Sequence, residues 1–355
     1  MSVFTAKEFD NHEAVLFFRD EVSGLKAIIA VHDTTLGPAL GGTRMWDYKS
    51  EEDAITDVLR LSRGMTYKSS LAGVNLGGGK SVIIGDAQKD KSEKLFKAFG
   101  CAVERLNGTY IAAEDVGTSV ADLEMARKMT SHIAGISEGK CGDPSPATAW
   151  GVFNGLKAAV HFRLKKDDLS GLKVAVQGLG HVGFELCRYL KEAGARLVVA
   201  DIDPNAVTRA IREFGAGAVA VDEIYDAGAD VFAPCALGAI LNDETISRLT
   251  ARIIAGSANN QLAEDRHADV LKSRGILYAP DYCINAGGII VISHEGPDFD
   301  RKIAMDQVAG IYKTATNIFE RAAREDTSTA QIADKIALER LQKVKAERKY
   351  LALAS

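Results

Sequence analysis

The chain has 355 residues, of which 26% are charged and 46% hydrophobic. That balance fits a globular protein of about two domains and excludes a disordered or collagen-like chain. With 43 Lys and Arg against 48 Asp and Glu the net charge is −5, so no surplus of cations exists to carry phosphate-driven nucleic-acid binding.

Five cysteines (Cys101, Cys141, Cys187, Cys235 and Cys283) are dispersed without a CxxC pair, which reads as free thiols in a reducing compartment. The histidines form no HxxxH or HExxH pattern, so no metal site is expected. The opening MSVFTAKEFDNHEAV lacks the charged and apolar regions of a signal peptide, and no apolar run is long enough to span a bilayer. The expectation is a cytoplasmic protein with neither membrane nor nucleic-acid partners.

In chain order, Lys26–His32 predicts a short apolar strand. Ser50–Leu61 predicts a helix, with Ala54, Ile55, Val58 and Leu61 at helical spacing behind Glu51 and Glu52. Ser81–Ile84 and Tyr110–Ala113 read as buried strands, and Val120–Lys128 as a helix. The stretch 135–146 (GISEGKCGDPSP) is loop chemistry, and the domain boundary is expected there or in the helix that follows it at Ala147–Phe162. From Leu172 onward, strands alternate with helices. Lys173–Gln177 is followed by a helix to Ala193, and Arg196–Asp201 by a helix at Ala206–Phe214. Further strands are expected at Ala218–Val221, Asp230–Ala233, Arg252–Ala255 and Gly275–Tyr278. Such alternation implies a parallel sheet covered on both faces. From about Asp300 the chain reads as all-helical, and Ser328 and Gln331 have capping-box spacing. The fold class is therefore α/β, with an N-terminal mixed α/β domain (1–145, plus C-terminal helices at about 326–355) and a doubly wound domain (146–325).

Gly178-Leu179-Gly180-His181-Val182-Gly183 directly follows the strand KVAVQ and opens a helix. Gly178 permits the tight turn, Gly180 lets a pyrophosphate approach the backbone, and Gly183 lets the helix pack on the sheet. Free N–H groups at the helix start then face the phosphates. Asp201 ends the next strand, where a carboxylate accepts from ribose hydroxyls and repels a 2′-phosphate. With Asp203 close behind it, the reading is an NAD rather than an NADP site.

Two lysines sit in glycine-rich apolar segments: Lys68, in Gly64-Met65-Thr66-Tyr67-Lys68, and Lys80, after Gly77-Gly78-Gly79. The three glycines suggest close approach of a ligand to backbone. A P-loop would need glycine at position 74, which is Val74. Glu114 and Asp115 end the strand at 110–113. Two lysines and a carboxylate in a water-poor cleft can grip an α-carboxylate and move protons at nitrogen. A lysine acting as base must be brought towards neutrality by exclusion of water and by a second cation, so Asp115 is expected on the substrate-nitrogen side rather than against Lys80.

These segments, together with HDTTLGPALGGTRMW (His32–Trp46), AAEDVGT, APCALGA (Ala233–Ala239), IAGSANNQL (Ile254–Leu262) and APDYCINAGG (Ala279–Gly288), resemble the Glu/Leu/Phe/Val amino-acid dehydrogenase family, its leucine dehydrogenase branch in particular. The resemblance runs from about residue 14 to 345. It implies NAD-dependent, reversible oxidative deamination of L-amino acids to 2-oxo acids and ammonia. Lys68 would bind the substrate carboxylate, Lys80 would be the general acid/base, and Asp115 would assist proton transfer. Leu40, Ala113, Ile289 and Ile292 would line the side-chain pocket, with Gly41, Gly42, Met65 and Asn260 also at the substrate. Thr148, Leu179, His181, Val182, Ile202, Cys235, Ala236, Ala258, Asn259 and Asn285 would surround the dinucleotide with the glycines and Asp201. The family fold implies a Rossmann-type NAD-binding domain, a cleft between the domains, and a homo-oligomer, typically an octamer. Two stretches depart from the family pattern: a slightly shorter linker at 135–146, and Ser293-His294-Glu295-Gly296-Pro297 in place of an acidic, tyrosine-containing stretch.

An apolar pocket without a lysine excludes an acidic side chain and favours branched aliphatic substrates. Discrimination by single methylenes is worth only about 1–3 kcal/mol, so Leu, Ile and Val should all react. The alternatives are an aromatic (Phe or Trp) amino-acid dehydrogenase and a catalytically silent NAD-binding regulator, against which Lys68, Lys80 and Asp115 argue.

Overall fold

The computed structural model describes residues 3–136, 142–296 and 298–354. Residues 137–141 of the linker, Cys141 among them, and Pro297 lie outside the described residues. The chain forms two compact units. The first is Met1–Gly142, Ile292–Phe299 and Ala337–Ser355; the second is Asp143–Val291 and Asp300–Ile336.

In the first unit, strands β1 (Ala14–Asp20), β2 (Leu25–Asp33), β3 (Ala39–Trp46), β4 (Gly77–Ile84) and β5 (Tyr110–Glu114) form one sheet in the order β1-β2-β4-β3-β5. β2 pairs antiparallel with β1 and β4, whereas β3 lies parallel between β4 and β5. Helix α1 (Glu51–Leu71) covers one face. Ser50 caps it by accepting from the Asp53 N–H, and Ala54, Ile55, Val58 and Leu59 pack against Ile28, Ala30 and Val82. Helices α2 (Glu93–Glu104) and α3 (Val120–Arg127) cover the other face, over Ile29, Met45, Ile83 and Tyr110.

Helix α1 runs ten residues past its predicted end at Leu61. Gly64 argues for a stop by propensity, at about 1 kcal/mol against Ala. Tertiary packing overrides it: a Cβ on Gly78 would lie 2.1 Å from the Thr66 N, so the helix lies directly on β4. Strand β4 likewise begins at Gly77 rather than Ser81, which places Lys80 inside the strand.

The second unit holds β6 (Lys173–Gln177), β7 (Arg196–Ala200), β8 (Gly217–Ala218), β9 (Val231–Pro234), β10 (Ile253–Ile254) and β11 (Leu277–Tyr278), all parallel, in the order β11-β10-β9-β6-β7-β8. That is the Rossmann order, with its reversal point between β6 and β9. Helices α4 (Ser145–Leu164), α5 (His181–Glu192), α6 (Pro204–Phe214), α7 (Asp243–Arg248) and α8 (His267–Ser273) alternate with or flank the strands. Then follow α9 (Asp281–Ile284), α10 (Gly287–Ser293), α11 (Arg301–Ala309), α12 (Ile311–Glu325) and α13 (Thr329–Ala354).

The start of α13 belongs to the second unit, later than the predicted return at about 326, and the reason is local bonding. Thr329 Oγ1 donates to the Tyr278 carbonyl at 2.6 Å, and the Tyr282 hydroxyl donates to Asp334. Beyond Ala337 the helix is held by the first unit: Ser70 Oγ donates to the Ala337 carbonyl at 2.9 Å and Arg340 Nη1 to the Ser70 carbonyl at 2.9 Å. The capping box expected at Ser328 and Gln331 does not form. The Gln331 side chain engages Thr327 instead, and the Ser328 hydroxyl is buried without a partner.

Candidate active site and nucleotide site

Strand alternation assembles the site in the first unit. Side chains two apart share a face. Leu40, Gly42 and Arg44 on β3, Gly78, Lys80 and Val82 on β4, and Ile111 and Ala113 on β5 therefore face α1. Asp115, just past β5, continues that row. The register pairs Leu40 with Gly78, and Gly42 with Ala113. One sheet face thus gathers residues that lie far apart in sequence.

Lys80 is 6% exposed, and its ammonium donates to Asp115 Oδ2 in direct contact. This corrects the expectation that Asp115 would stand away from Lys80. The two strands are both neighbours of β3, and Gly42 between them has no side chain to keep the pair apart. Burial alone would push the Asp115 carboxyl up; Lys80, then Arg44, outweigh it and hold the group below the usual carboxylate range. Any proton movement at Lys80 therefore involves Asp115.

Sequence reasoning missed Arg44. Its Nε donates to Asp115 Oδ2 at 3.2 Å, and its Nη1 donates to both oxygens of Asp57 at 3.1 and 2.9 Å. The Tyr48 hydroxyl donates to Asp57 Oδ2 at 2.6 Å. The available signal was an arginine inside an otherwise apolar strand, ALGGTRMW.

The three glycines before Lys80 are each required by packing. A Cβ on Gly77 would lie 2.3 Å from the Asp33 carbonyl, one on Gly78 would meet Thr66, and one on Gly79 would lie 2.7 Å from the Tyr110 ring. Gly41 is equally tight, at 1.9 Å from the Gly79 carbonyl. Met65 and Lys68 lie in the last turns of α1, both half-buried. Leu40, Ile111 and Ile292 line a cavity of about 720 Å³ with Arg127, His132 and Glu295; the Gly135 N–H donates to Glu295 at 3.0 Å. Ala113 is buried beside Gly42 and does not line that cavity. Asn260 and Ile289 belong to the second unit.

Two buried histidines lie near α1. His32 Nδ1 bonds Thr66 Oγ1 at 2.8 Å, and the His12 ring stands 4.8 Å from the His32 ring. Burial, then His12, pushes the His32 imidazole down to about 4, against the pull of Asp10 and Asp33. The unfolded chain therefore binds more protons than the folded one below about pH 6.5, so stability falls as pH drops from there towards 4. His32, with His12 beside it, contributes to that loss. His32→Gln, which does not titrate, should flatten the decline of the melting temperature between pH 7 and 4.5. An equally steep decline in that variant would clear His32 as its cause.

In the second unit, Gly178 has φ +96°, and a Cβ on Gly183 would lie 2.0 Å from the Gly178 carbonyl. Both glycines are thus required by the turn itself. Gly180 starts α5 with no side-chain cap and with open space above it, while His181 is exposed and Val182 half-buried. The uncapped N–H groups and the positive end of the helix dipole fit a pyrophosphate. Cys235 and Ala236 follow β9 and pack on the same turn: Gly183 faces Cys235 Cβ, and Gly178 faces Ala236 Cβ. Asp201 follows β7, and its carboxylate accepts from the Leu179 N–H and, at 2.8 Å, from the Asp203 N–H. Ile202 beside it is 89% exposed. Asp203 proves to be the cap of α6, accepting from the Asn205 N–H at 2.9 Å, so its carboxylate is committed to the helix. Asn285 Nδ2 donates to Asn259 Oδ1 at 2.7 Å and to the Ser257 carbonyl at 3.1 Å, leaving Asn285 Oδ1 buried without a partner. A buried acceptor of that kind suits an amide donor such as a carboxamide. The Ala258 N–H donates to the Pro234 carbonyl at 3.0 Å, and Thr148 Oγ1 to the Pro144 carbonyl at 3.0 Å.

Residues 12–132 match the family described as Glu/Leu/Phe/Val dehydrogenase, dimerisation domain, and residues 205–348 match Glutamate/Leucine/Phenylalanine/Valine dehydrogenase. The chain is similar to the leucine dehydrogenase of Geobacillus stearothermophilus, with 53% identity over 98% of this chain and 95% of that protein. It is also similar to the phenylalanine dehydrogenase of Caldalkalibacillus thermarum, with 50% identity over 97% of this chain and 95% of that one. Among solved structures, L-tryptophan dehydrogenase from Nostoc punctiforme superimposes with a TM-score of 0.83 at 46% identity, covering 95% of this chain and 97% of that one. The buried lysine–carboxylate pair in one unit, the dinucleotide turn in the other and these matches lead to one conclusion: the chain belongs to the Glu/Leu/Phe/Val dehydrogenase family of amino-acid dehydrogenases.

Proposed function

We propose that this enzyme oxidatively deaminates L-leucine, and with it isoleucine and valine, using NAD+ and water to give the 2-oxo acid, ammonia, NADH and a proton. The observation that carries the reading is the buried Lys80–Asp115 pair set on one sheet face with Leu40 and Ala113. It supplies proton transfer beside apolar side chains, which suit an apolar substrate side chain. Lys68 holds the substrate carboxylate. Lys80, once its ammonium has given up a proton through Asp115, takes one from the attacking water as the neutral amine, and Asp115 passes protons to and from the substrate nitrogen. Gly178, Gly180, Gly183 and the α5 N-terminus hold the dinucleotide, which supplies the hydride acceptor. A reducing, cytoplasmic setting suits the free thiols of Cys101, Cys187, Cys235 and Cys283. Assembly as a homo-oligomer, an octamer by family likeness, completes the reading. NADH formation across a panel of L-amino acids tests it: leucine should lead, and phenylalanine or tryptophan in front would favour the aromatic alternative.

NAD over NADP rests on Asp201 alone, since Asp203 is a helix cap. NAD+ should exceed NADP+ clearly in kcat/KM, and Asp201→Ala should narrow the ratio by removing the charge that repels a 2′-phosphate. Equal use of both cofactors by the unaltered enzyme would refute this.

A further inference from the structure

We propose that Arg44 is a positioning residue for the proton-transfer pair: anchored through Asp57, its guanidinium fixes the Asp115 carboxylate against Lys80 and keeps it ionised. The inference rests on the reading of function above and goes beyond it.

Three elements meet at this side chain. β3 supplies Arg44, α1 supplies Asp57, and Asp115 lies just past β5. The two Nη1 bonds to Asp57 hold the plane of the guanidinium, leaving Nε to reach Asp115 Oδ2 at 3.2 Å. A planar fork can satisfy two carboxylates in fixed directions, which a lysine's point charge cannot. Tyr48 completes the anchor by donating to Asp57, and burial followed by Asp57 keeps that hydroxyl protonated.

The main chain of Asp115 is fixed separately. Its N–H donates to Thr118 Oγ1 at 3.1 Å, and that hydroxyl donates to the Thr43 carbonyl at 2.8 Å. What remains to be set is the direction and charge of the carboxyl group, and Asp115 Oδ2 receives both Lys80 and Arg44. The charged and titratable groups around Asp115 are Lys80 from β4, Arg44 from β3, Asp57 from α1, Tyr48 after β3, and Glu114 and Tyr110 from its own strand. Lys80, Arg44, Asp57 and Asp115 together carry no net charge, so removing any one of them leaves the cluster unbalanced.

The test is the pH dependence of kcat and kcat/KM for L-leucine in Arg44→Gln, Arg44→Lys and Asp57→Asn. Removing a nearby cation makes proton loss from either neighbour harder. Arg44→Gln should therefore lower kcat by about 30-fold or more and move both limbs of the profile to higher pH by about one unit, with leucine KM little changed. Arg44→Lys should keep the limbs in place and recover only part of kcat, because charge returns without the fork. Asp57→Asn should move the limbs the other way, since it removes an anion. An Arg44→Gln enzyme with unmoved limbs, or Arg44→Lys with wild-type kcat, would overturn the proposal. Should Arg44→Gln fail to fold by circular dichroism, the Lys and Asn variants decide it on the same criteria. A second readout needs no turnover. The infrared band of the protonated Asp115 carboxyl, identified by its absence in Asp115→Asn, should emerge at higher pH in Arg44→Gln than in wild type. If wild type shows no leucine-dependent NADH formation, the reading of function fails, and the infrared titration alone decides the role of Arg44.

Discussion

Lys80→Ala should lose kcat by at least about 10²-fold, the usual contribution of a positioned acid/base, while NADH binding stays near normal. Lys80 is buried and its ammonium contacts Asp115, so the substitution removes the group proposed to carry the proton. Breaking a buried ion pair by deleting one partner typically costs about 3–5 kcal/mol. Here Arg44 still contacts Asp115, so the cost should fall at the low end and the protein should stay folded at room temperature. A thermal melt beside the assay separates loss of fold from loss of chemistry, and Lys80→Gln serves as a milder second variant. Lys68→Ala should differ in kind. On the proposed role it should chiefly raise the leucine KM, by removing carboxylate binding shared by ground and transition states. Two variants with the same modest rise in KM and an unmoved pH–rate profile would show that both roles are misassigned.

How much of this was legible in the sequence depends on how local each feature is. The strand, glycine turn and helix of residues 173–192 occupy one contiguous stretch, each glycine has a task set by its immediate neighbours, and the structure places them as expected. Lys80 and Asp115 stood out because one follows three glycines at the mouth of an apolar strand and the other closes one. Their direct contact did not, because it depends on β3 lying between β4 and β5, an order set by packing over the whole sheet. Arg44 was hidden for the same reason: its partners Asp57 and Asp115 come from other elements, one of them 71 positions away. Glycines were legible as glycines but not by role. Gly77, Gly78 and Gly79 admit Asp33, Thr66 and Tyr110, none of which a linear reading brings near. Asp203 shows the reverse limit, since a carboxylate one residue before a proline-led helix is a cap first and a cofactor contact only afterwards.

Gly42→Ala should lower kcat by about 10²-fold without unfolding the protein, the loss expected when reacting groups are displaced by about 1 Å. A Cβ at this position would lie 2.7 Å from Asp115 Cβ, 2.9 Å from the Glu114 carbonyl and 3.2 Å from Lys80 Nζ. Lys80 Nζ is the end of a flexible chain and can move aside. The Glu114 carbonyl is backbone and Asp115 Cβ is bonded to the next Cα along it, so the end of β5 must shift and carry the carboxylate with it. Backbone strain is not the cause, because Gly42 lies within β3 and has no positive φ. Exchanging glycine for alanine in a strand even restores about 0.5–1 kcal/mol of lost conformational entropy, which offsets part of the clash. Gly64 provides the control. It is exposed within α1 with open space where a Cβ would go. Gly64→Ala should therefore raise the melting temperature through helix propensity, by about 1 kcal/mol of stability, and leave kcat alone. Comparing the two variants in one assay and one melting experiment isolates the proton-transfer pair from the general effect of replacing a glycine. A Gly42→Ala enzyme that turns over leucine at the wild-type rate would mean that β5 yields to the extra methyl at no cost to the pair, and that the tight fit around Lys80 and Asp115 is not required for catalysis.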